Sequence, residues 1–373
     1  DRGLEIFQSV LDRIGQSRIF PGEDAFRLYD TYGFPLDLTQ LMAEERGLTV
    51  ETETFHELME QQRARGRESG RVEGTRSVAA VADRFVDQEP SQFVGYEELE
   101  TKATLKRIVE SRYLVLDRTP FYVESGGQVD DIGTIVGDDF VASVLGSFRA
   151  GERIVHEVKI LHGTADPAPG QSVTARVDTP RRLNIQRNHS ATHLVHEALR
   201  RVLGTHVHQQ GSLVAPDRLR FDFPHFRKIT PEELRAIEEM VNQRIADDIP
   251  VHTEQDIPIQ EARKIPNVKM FFGDKYGDRV RVVFIDEAFS VEFCGGTHVA
   301  RTKDIGLFKI ISEGSVASGI RRIEAVTGDG LLRYIDQQLA RHGELTDQLA
   351  ALLEERETLL RELGSTAPAA DSL

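Results

Sequence analysis

Asn188-His189-Ser190-Ala191-Thr192-His193-Leu194, answered far downstream by Phe293-Cys294-Gly295-Gly296-Thr297-His298, decides how this chain is read. The two segments hold four borderline ligands in two couples, each spaced by four. Zinc takes thiolate sulfur and imidazole nitrogen at about 2.0–2.3 Å, from four ligands when structural and three when catalytic. If His189 and His193 lie on a helix, positions i and i+4 share one face and both rings reach one ion. Gly295 and Gly296 suit a tight turn between Cys294 and His298, because glycine takes positive φ without steric cost. Cys294 is the only cysteine among 373 residues, so no disulfide forms within the chain. A lone thiol framed by glycines and a histidine reads as a ligand or a nucleophile.

A histidine pair at i, i+4 is by itself more often core or surface than ligand; the Cys-x-x-x-His couple turns the balance toward zinc. His196, one turn from His193, could replace His189 or His193 as a ligand, but by default His196, His206 and His208 are all read as surface or RNA-facing. Metalloproteases place a glutamate base directly after the first histidine. Ser190 stands there instead, which argues against a protease. Four ligands close the shell, so no water is activated unless one of them is displaced. Thr192, inside the pair, and Gln209, just after the helix, are the polar groups placed to hold a substrate hydroxyl or a water.

With 39% hydrophobic and 29% charged residues, the chain has enough apolar side chains for real cores and is too long for one. No run approaches the ~18 apolar residues of a membrane span. Asp1-Arg2-Gly3-Leu4 is no signal peptide, and a start without Met points to a piece of a longer protein. The absence of disulfides and targeting segments favours the cytoplasm. The net charge of −15 argues against nucleic acid. Residues 176–228 depart from it, with ten Lys/Arg against four Asp/Glu, a local excess of +6 around the histidine pair.

Leu4, Phe7, Val10, Leu11 and Ile14 recur at helical spacing, and Tyr29-Asp30-Thr31-Tyr32-Gly33-Phe34-Pro35 breaks a following helix. Residues 56–73 are charged and helix-prone, then Gly70 and Gly74 interrupt them. From about 76 to 175 the pattern turns to β: Leu105–Val109, Tyr113–Leu116, Val141–Leu145, Ile154–Ile160 and Ser172–Val177, a small barrel or sandwich. Inside it, Glu124-Ser125-Gly126-Gly127-Gln128 reads as a hairpin turn or as backbone N–H groups offered to an anion or ribose. Residues 180–330 read as α/β. A helix from about Arg187 to Leu203 carries the histidines, and Thr230-Pro231-Glu232-Glu233 opens another. Strands are expected at Gln210–Val214, Arg218–Phe223, Val251–Ile257, Val280–Ile285 and Leu307–Glu313. After Gly328 a last helix runs to about Leu363, its Leu345, Leu349, Leu352, Leu359 and Leu363 spaced as in a coiled-coil or hairpin arm. The tail from Ser365 reads as disordered.

The two metal segments resemble those of the editing half of alanyl-tRNA synthetases. So do Gln209-Gln210-Gly211-Ser212-Leu213-Val214, Leu219-Arg220-Phe221-Asp222-Phe223, Ile311-Ser312-Glu313-Gly314-Ser315 and Gly319-Ile320-Arg321-Arg322-Ile323-Glu324-Ala325. Asp30-Thr31-Tyr32-Gly33-Phe34-Pro35-Leu36-Asp37-Leu38 is similar to the end of that family's aminoacylation half. The resemblance implies that His189, His193, Cys294 and His298 bind Zn2+, that Gln209 lies in the editing pocket, and that Ser-tRNA(Ala) and Gly-tRNA(Ala) are hydrolysed there. An alanine pocket cannot repel glycine and rejects serine poorly, so a second sieve is required. Thr192 is the candidate contact for the serine hydroxyl.

The fold implied is α+β and multidomain, similar in its core to the threonyl/alanyl-tRNA synthetase editing fold. Its parts are a helical end of the tRNA-recognition region with a linker (1–75), a β-barrel (76–177), a zinc-containing α/β core (178–327) and a helical arm with its tail (328–373). The partner is the acceptor end of tRNA(Ala), not a membrane. Gly126, Gly127, Gln128, Arg181, Arg182, Arg187, Arg321 and Arg322 are its expected contacts. Binding should weaken steeply with salt. The family's ATP-using core and C-terminal oligomerisation domain are not visible, so this piece is expected to form no adenylate and to lack that route to a dimer. The rival readings are a threonyl-type editing domain and a non-catalytic zinc-stabilised RNA-binding module.

Overall fold

The structure, a computed structural model, describes residues 2–15, 17–32, 36–44, 46–55, 58, 83–85, 89–164, 167–270, 277–317 and 319–362. The helix-prone stretch 56–73, but for residue 58, and the tail from Ser365 lie outside these residues. Three helices open the chain, α1 (Arg2–Ile14), α2 (Gly22–Tyr32) and α3 (Leu36–Glu44). Phe7 and Val10, two of the helically spaced residues, are buried with Phe20, Leu28, Val50 and Phe55. Strands β1 (Ile19–Phe20) and β2 (Thr49–Val50) pair in parallel across this cluster.

A closed six-stranded barrel follows. After the short β3 (Gln92–Phe93) come β4 (Glu100–Val109), β5 (Tyr113–Leu116), β6 (Arg118–Thr119), β7 (Gly133–Val136), β8 (Phe140–Ala150), β9 (Arg153–Gly163) and β10 (Ser172–Val177). The barrel order is β10-β4-β5-β9-β8-β7, every pair antiparallel. Period-2 alternation sends Ala103, Leu105, Val173, Ala175 and Val177 inward. Strand β7 gives no such signal in the sequence, because it opens on Gly133. That glycine is required by contact: a Cβ there would lie 2.1 Å from the Arg176 carbonyl of the neighbouring strand.

The core starts one residue after the barrel ends. Helix α4 spans Thr179–Leu203, two turns earlier than its apolar pattern alone predicts. Asp178 caps it by accepting from the Arg181 N–H at 3.0 Å, and Pro180 sits in the first turn, where no donor is needed. Helix α5 (Pro231–Ala246) starts at the expected Thr230–Glu233 capping box. Two four-stranded sheets embrace these helices. One has the order β11 (Gly211–Val214), β12 (Leu219–Pro224), β18 (Ile320–Thr327), β17 (Phe308–Ala317). The other is β13 (Val251–Pro258), β15 (Arg279–Ile285), β16 (Ser290–Phe293), β14 (Val268–Lys269). Leu194, Leu199, Phe221, Ile237, Val283 and Ile323 share one apolar core. Helix α6 (Gly328–Glu362) leaves the core and carries Leu345, Leu349, Leu352 and Leu359 exposed. Among the described residues no helix is long and apolar enough to cross a membrane.

Barrel and core are locked by Arg182, which is fully buried. Its Nε lies 3.0 Å from both carboxylate oxygens of Asp131, and its terminal nitrogens donate to the carbonyls of Gly95 at 2.6 Å and Pro120 at 2.7 Å. The position excludes the phosphate contact expected of Arg182. Removing one partner of such a buried pair leaves an uncompensated charge, so Asp131→Asn should cost about 3 kcal/mol or more in urea unfolding.

A second buried group makes the barrel acid-sensitive. His156 donates from Nδ1 to the Leu114 carbonyl (3.1 Å) and accepts at Nε2 from the Thr119 hydroxyl (2.8 Å). Burial pushes its pKa down from 6.5 to about 4. The unfolded chain therefore takes up a proton below pH 6.5 that the folded chain refuses until about pH 4. Stability should fall across that window by about 3 kcal/mol. His156→Gln, which keeps a donor but cannot gain a proton, should flatten this slope in denaturation measured at successive pH values.

Candidate metal centre and cleft

On α4, His189 and His193 stand one turn apart with their rings stacked, centroids 5.3 Å apart. The turn after β16 brings Cys294 and His298 against them, and one donor atom from each of the four residues lies within 4.8 Å of the others. Cys294 Sγ is 3.3 Å from His189 Nε2 and 3.4 Å from His298 Nε2. The glycines between them act otherwise than expected. Neither Gly295 nor Gly296 has left-handed backbone. Gly296 is needed because a Cβ there would sit 2.0 Å from the His189 ring.

The outward nitrogen of each imidazole is anchored. His189 Nδ1 donates to Gln128 Oε1 at 2.7 Å, His193 Nδ1 to Glu292, and His298 Nδ1 meets the Ser190 hydroxyl at 3.2 Å. A histidine whose Nδ1–H is fixed in this way has its Nε2 lone pair aimed inward, as metal-binding histidines do. His193 Nε2 is buried and makes no hydrogen bond. Burial pushes the Cys294 thiol up, but His189, His298 and His193 outweigh it and hold it well below the usual range, as thiolate. Burial presses the His193 pKa down, while Glu292 and Cys294 carry it up to about 10. Burial and His189 push His298 down to about 3. Three imidazoles and one thiolate are a donor set for a tetrahedral soft or borderline cation, whose binding would displace the His193 proton. The cluster can hold a metal ion. His196 is not part of it, nor does it lie at the surface as expected: it is buried, and its Nδ1 donates to Glu292 Oε1 at 3.0 Å.

A cleft of about 350 Å3 opens beside the cluster, lined by Tyr122 and Gly126 of the barrel and by Thr192, Gln209, Ser212 and Phe221 of the core. Thr192 donates its hydroxyl to the Asn188 carbonyl at 2.8 Å, which leaves its lone pairs for another donor. Gly126 and Gly127 take φ of 61° and 88° in a two-residue hairpin turn between Ser125 and Gln128. The turn docks on β11, Val214 N donating to Gly127 O at 2.7 Å. Gln128 is fully buried and holds His189 and the Thr297 N–H, so it cannot contact tRNA as expected.

The basic window largely cancels in three dimensions. Arg176 pairs with Glu100, Arg182 with Asp131, Arg201 with Glu197, Arg218 with Asp217 and Glu324, and Arg227 with Glu233. Among the other expected contacts, Arg321 pairs with Glu313 and Arg322 with Asp222. Arg181 donates to the Asp130 carbonyl and Arg187 to the Asp304 carbonyl. His206 faces His225 at 3.0 Å, and His208 lies exposed beside Gln210. Sequence reasoning missed Glu292, the shared acceptor of His193 and His196, whose only trace is a carboxylate between Val291 and Phe293.

Two known families match the sequence. "tRNA synthetases class II (A)" covers residues 1–181, and "Threonyl and Alanyl tRNA synthetase second additional domain" covers residues 280–324. The chain is similar to the alanine–tRNA ligase of Xanthomonas campestris pv. campestris (strain B100), 46% identical over 390 residues, 98% of this chain and 43% of that protein. It is similar to that of Chlorobium chlorochromatii (strain CaD3), 44% identical over 400 residues, 99% of this chain and 45% of that protein. The protein of the same name from Chelativorans sp. (strain BNC1) is 43% identical over 399 residues, 97% of this chain and 44% of its own length. The chain thus spans less than half the length of these curated relatives.

The close approach at Gly296 gives a direct test of the cluster. Gly296→Ala should weaken zinc binding by about tenfold or more in competition with a chromophoric chelator, while the circular dichroism of the folded protein stays unchanged.

Proposed function

The chain belongs to the alanine–tRNA ligase family, and from that premise we propose that it hydrolyses Ser-tRNA(Ala) and Gly-tRNA(Ala) at a site built from a Zn2+ bound by His189, His193, Cys294 and His298 and from the cleft beside it. The observation that carries the reading is the donor set itself: three imidazoles, each steered by a neighbour so that Nε2 faces the Cys294 thiolate, next to a polar-lined cleft. Zinc held in this set supplies a fixed positive charge that orients the terminal ribose. The reaction breaks the acyl C–O bond, water giving its hydroxyl to the acyl carbon and a proton to the ribose oxygen.

Gln209, with an acceptor and two donors on one side chain, positions the water. Thr192 sorts the amino acids. Its hydroxyl proton is committed to Asn188, so its oxygen accepts from the hydroxyl of serine. Alanine places a methyl against that oxygen and leaves it unpaired, which disfavours binding. Glycine leaves room for a water in the same position. The reading carries with it the acceptor end of tRNA(Ala) as partner, a cytoplasmic location and, for the whole enzyme, ATP-driven attachment of alanine.

Deacylation of Ser-, Gly- and Ala-tRNA(Ala), followed beside metal analysis, tests it. The protein should release serine and glycine and spare alanine. Cys294→Ala should lose the metal and at least about a hundredfold in rate. Thr192→Val should erode the preference for serine over alanine by about tenfold or more. Hydrolysis of none of the three substrates would leave the binding-module reading in its place.

A further inference from the structure

Three successive carbonyls of the ligand turn, those of Cys294, Gly295 and Gly296, are each taken up by a side chain from outside the donor set. Arg281 Nη1 donates to Cys294 O and to Gly296 O, both at 2.9 Å. Tyr96 Oη, from the loop that leads into the barrel, donates to Gly295 O at 2.7 Å. The two residues brace each other, the Arg281 guanidinium lying 4.2 Å from the centre of the Tyr96 ring. Arg281 reaches the turn because β15 and β16 pair just before it, Cys294 N donating to Arg281 O at 3.0 Å.

A trans peptide is planar, and its C=O and N–H point in opposite directions. Every peptide bond described is trans. Fixing the Gly295 carbonyl therefore aims the Gly296 N–H the other way, and it points at Cys294 Sγ, 3.4 Å off. Fixing the Gly296 carbonyl aims the Thr297 N–H, which donates to Gln128 Oε1 at 2.9 Å, the atom that also holds His189. Two consecutive peptide planes thus transmit the grip of Tyr96 and Arg281 to the thiolate and to the first histidine.

We infer that Tyr96 and Arg281 are positioning residues of the metal centre, acting through the Gly295–Gly296 and Gly296–Thr297 peptide planes to hold an N–H against the Cys294 sulfur and to fix the Gln128–His189 contact. Neither residue is among the four donors or lines the cleft beside them. The inference rests on the metal reading above and deepens it, since it makes the barrel loop a part of the centre. An N–H donated to a metal thiolate draws electron density from the sulfur and holds the ligand turn in its bound shape before the metal arrives.

The test uses the full chain loaded with Zn2+ or Co2+. Tyr96→Phe keeps the ring under Arg281 and deletes the one hydroxyl. It should speed zinc loss to a chelator by about tenfold, within the range of outer-shell substitutions. In the cobalt protein it should move the thiolate-to-metal charge-transfer band to longer wavelength, because the sulfur becomes more electron-rich. Tyr96→Leu, which also removes the ring, should do both at least as strongly. Arg281→Lys keeps the charge but is shorter and lacks the planar Nη1 that reaches both carbonyls, and should resemble Tyr96→Phe. Zinc loss and a cobalt band unchanged in folded Tyr96→Phe would overturn the inference, as would an effect seen only in Tyr96→Leu, which would mark packing alone. A parent protein that takes up neither ion would instead remove the metal reading, and this inference with it.

Discussion

Arg182 carries its guanidinium into a place water does not reach, and Asp131 with two backbone carbonyls takes up its donors. A buried charge is tolerated only when its hydrogen bonds are satisfied and an opposite charge is close. Asp131, just before β7, also accepts from the Tyr122 N–H at 2.7 Å, so the same carboxylate ties down the segment leading to the glycine hairpin. Arg182 sits in the first turn of α4, less than three turns before His189. The ion pair thereby sets the distance between two otherwise separate cores. Gln128 then finds His189, Tyr96 finds Gly295, and the cleft acquires both its walls.

Much of this was legible in the residues, and the exceptions have physical causes. Periodicity located most barrel strands and the helix that bears the histidines, because apolar alternation and turn chemistry are local signals. It missed β7 and the first turns of α4. Those depend on a close approach at Gly133 and on the Asp178 cap with Pro180, rather than on hydrophobic spacing. The four residues of the donor cluster were legible because their spacing and chemistry are unusual together. Their outer partners were not. Gln128 was read as a tRNA contact, Ser190 only as the residue standing where a base would be, and Glu292 not at all, because all three act through contacts between residues far apart in the sequence. The glycines of the ligand turn were noticed for the wrong reason: a ring presses on Gly296, and no unusual φ demands it.

Charge was the least readable property. A window of ten cations and four anions looks like a surface for phosphate, yet most of its arginines pair with carboxylates, several drawn from the barrel region and from the later helix α5 and strand β18. Arginine's planar fork suits such pairs, which here join elements. Local net charge along a sequence is evidence of an electrostatic face only when opposite charges are not brought to it by the fold.

Gln128 and Thr297, whose side chains meet at 3.0 Å, are separated by 169 positions in the chain. Contacts of such separation close large loops and form late in folding. On a ribosome, α4 emerges with two of the four donors long before the turn that holds the other two. The four donors are together only once His298 has been made, after β16 and before β17 and β18 of the other sheet. A chain stalled or cut before Cys294 holds only the two imidazoles of α4, half the donors that a tetrahedral site needs.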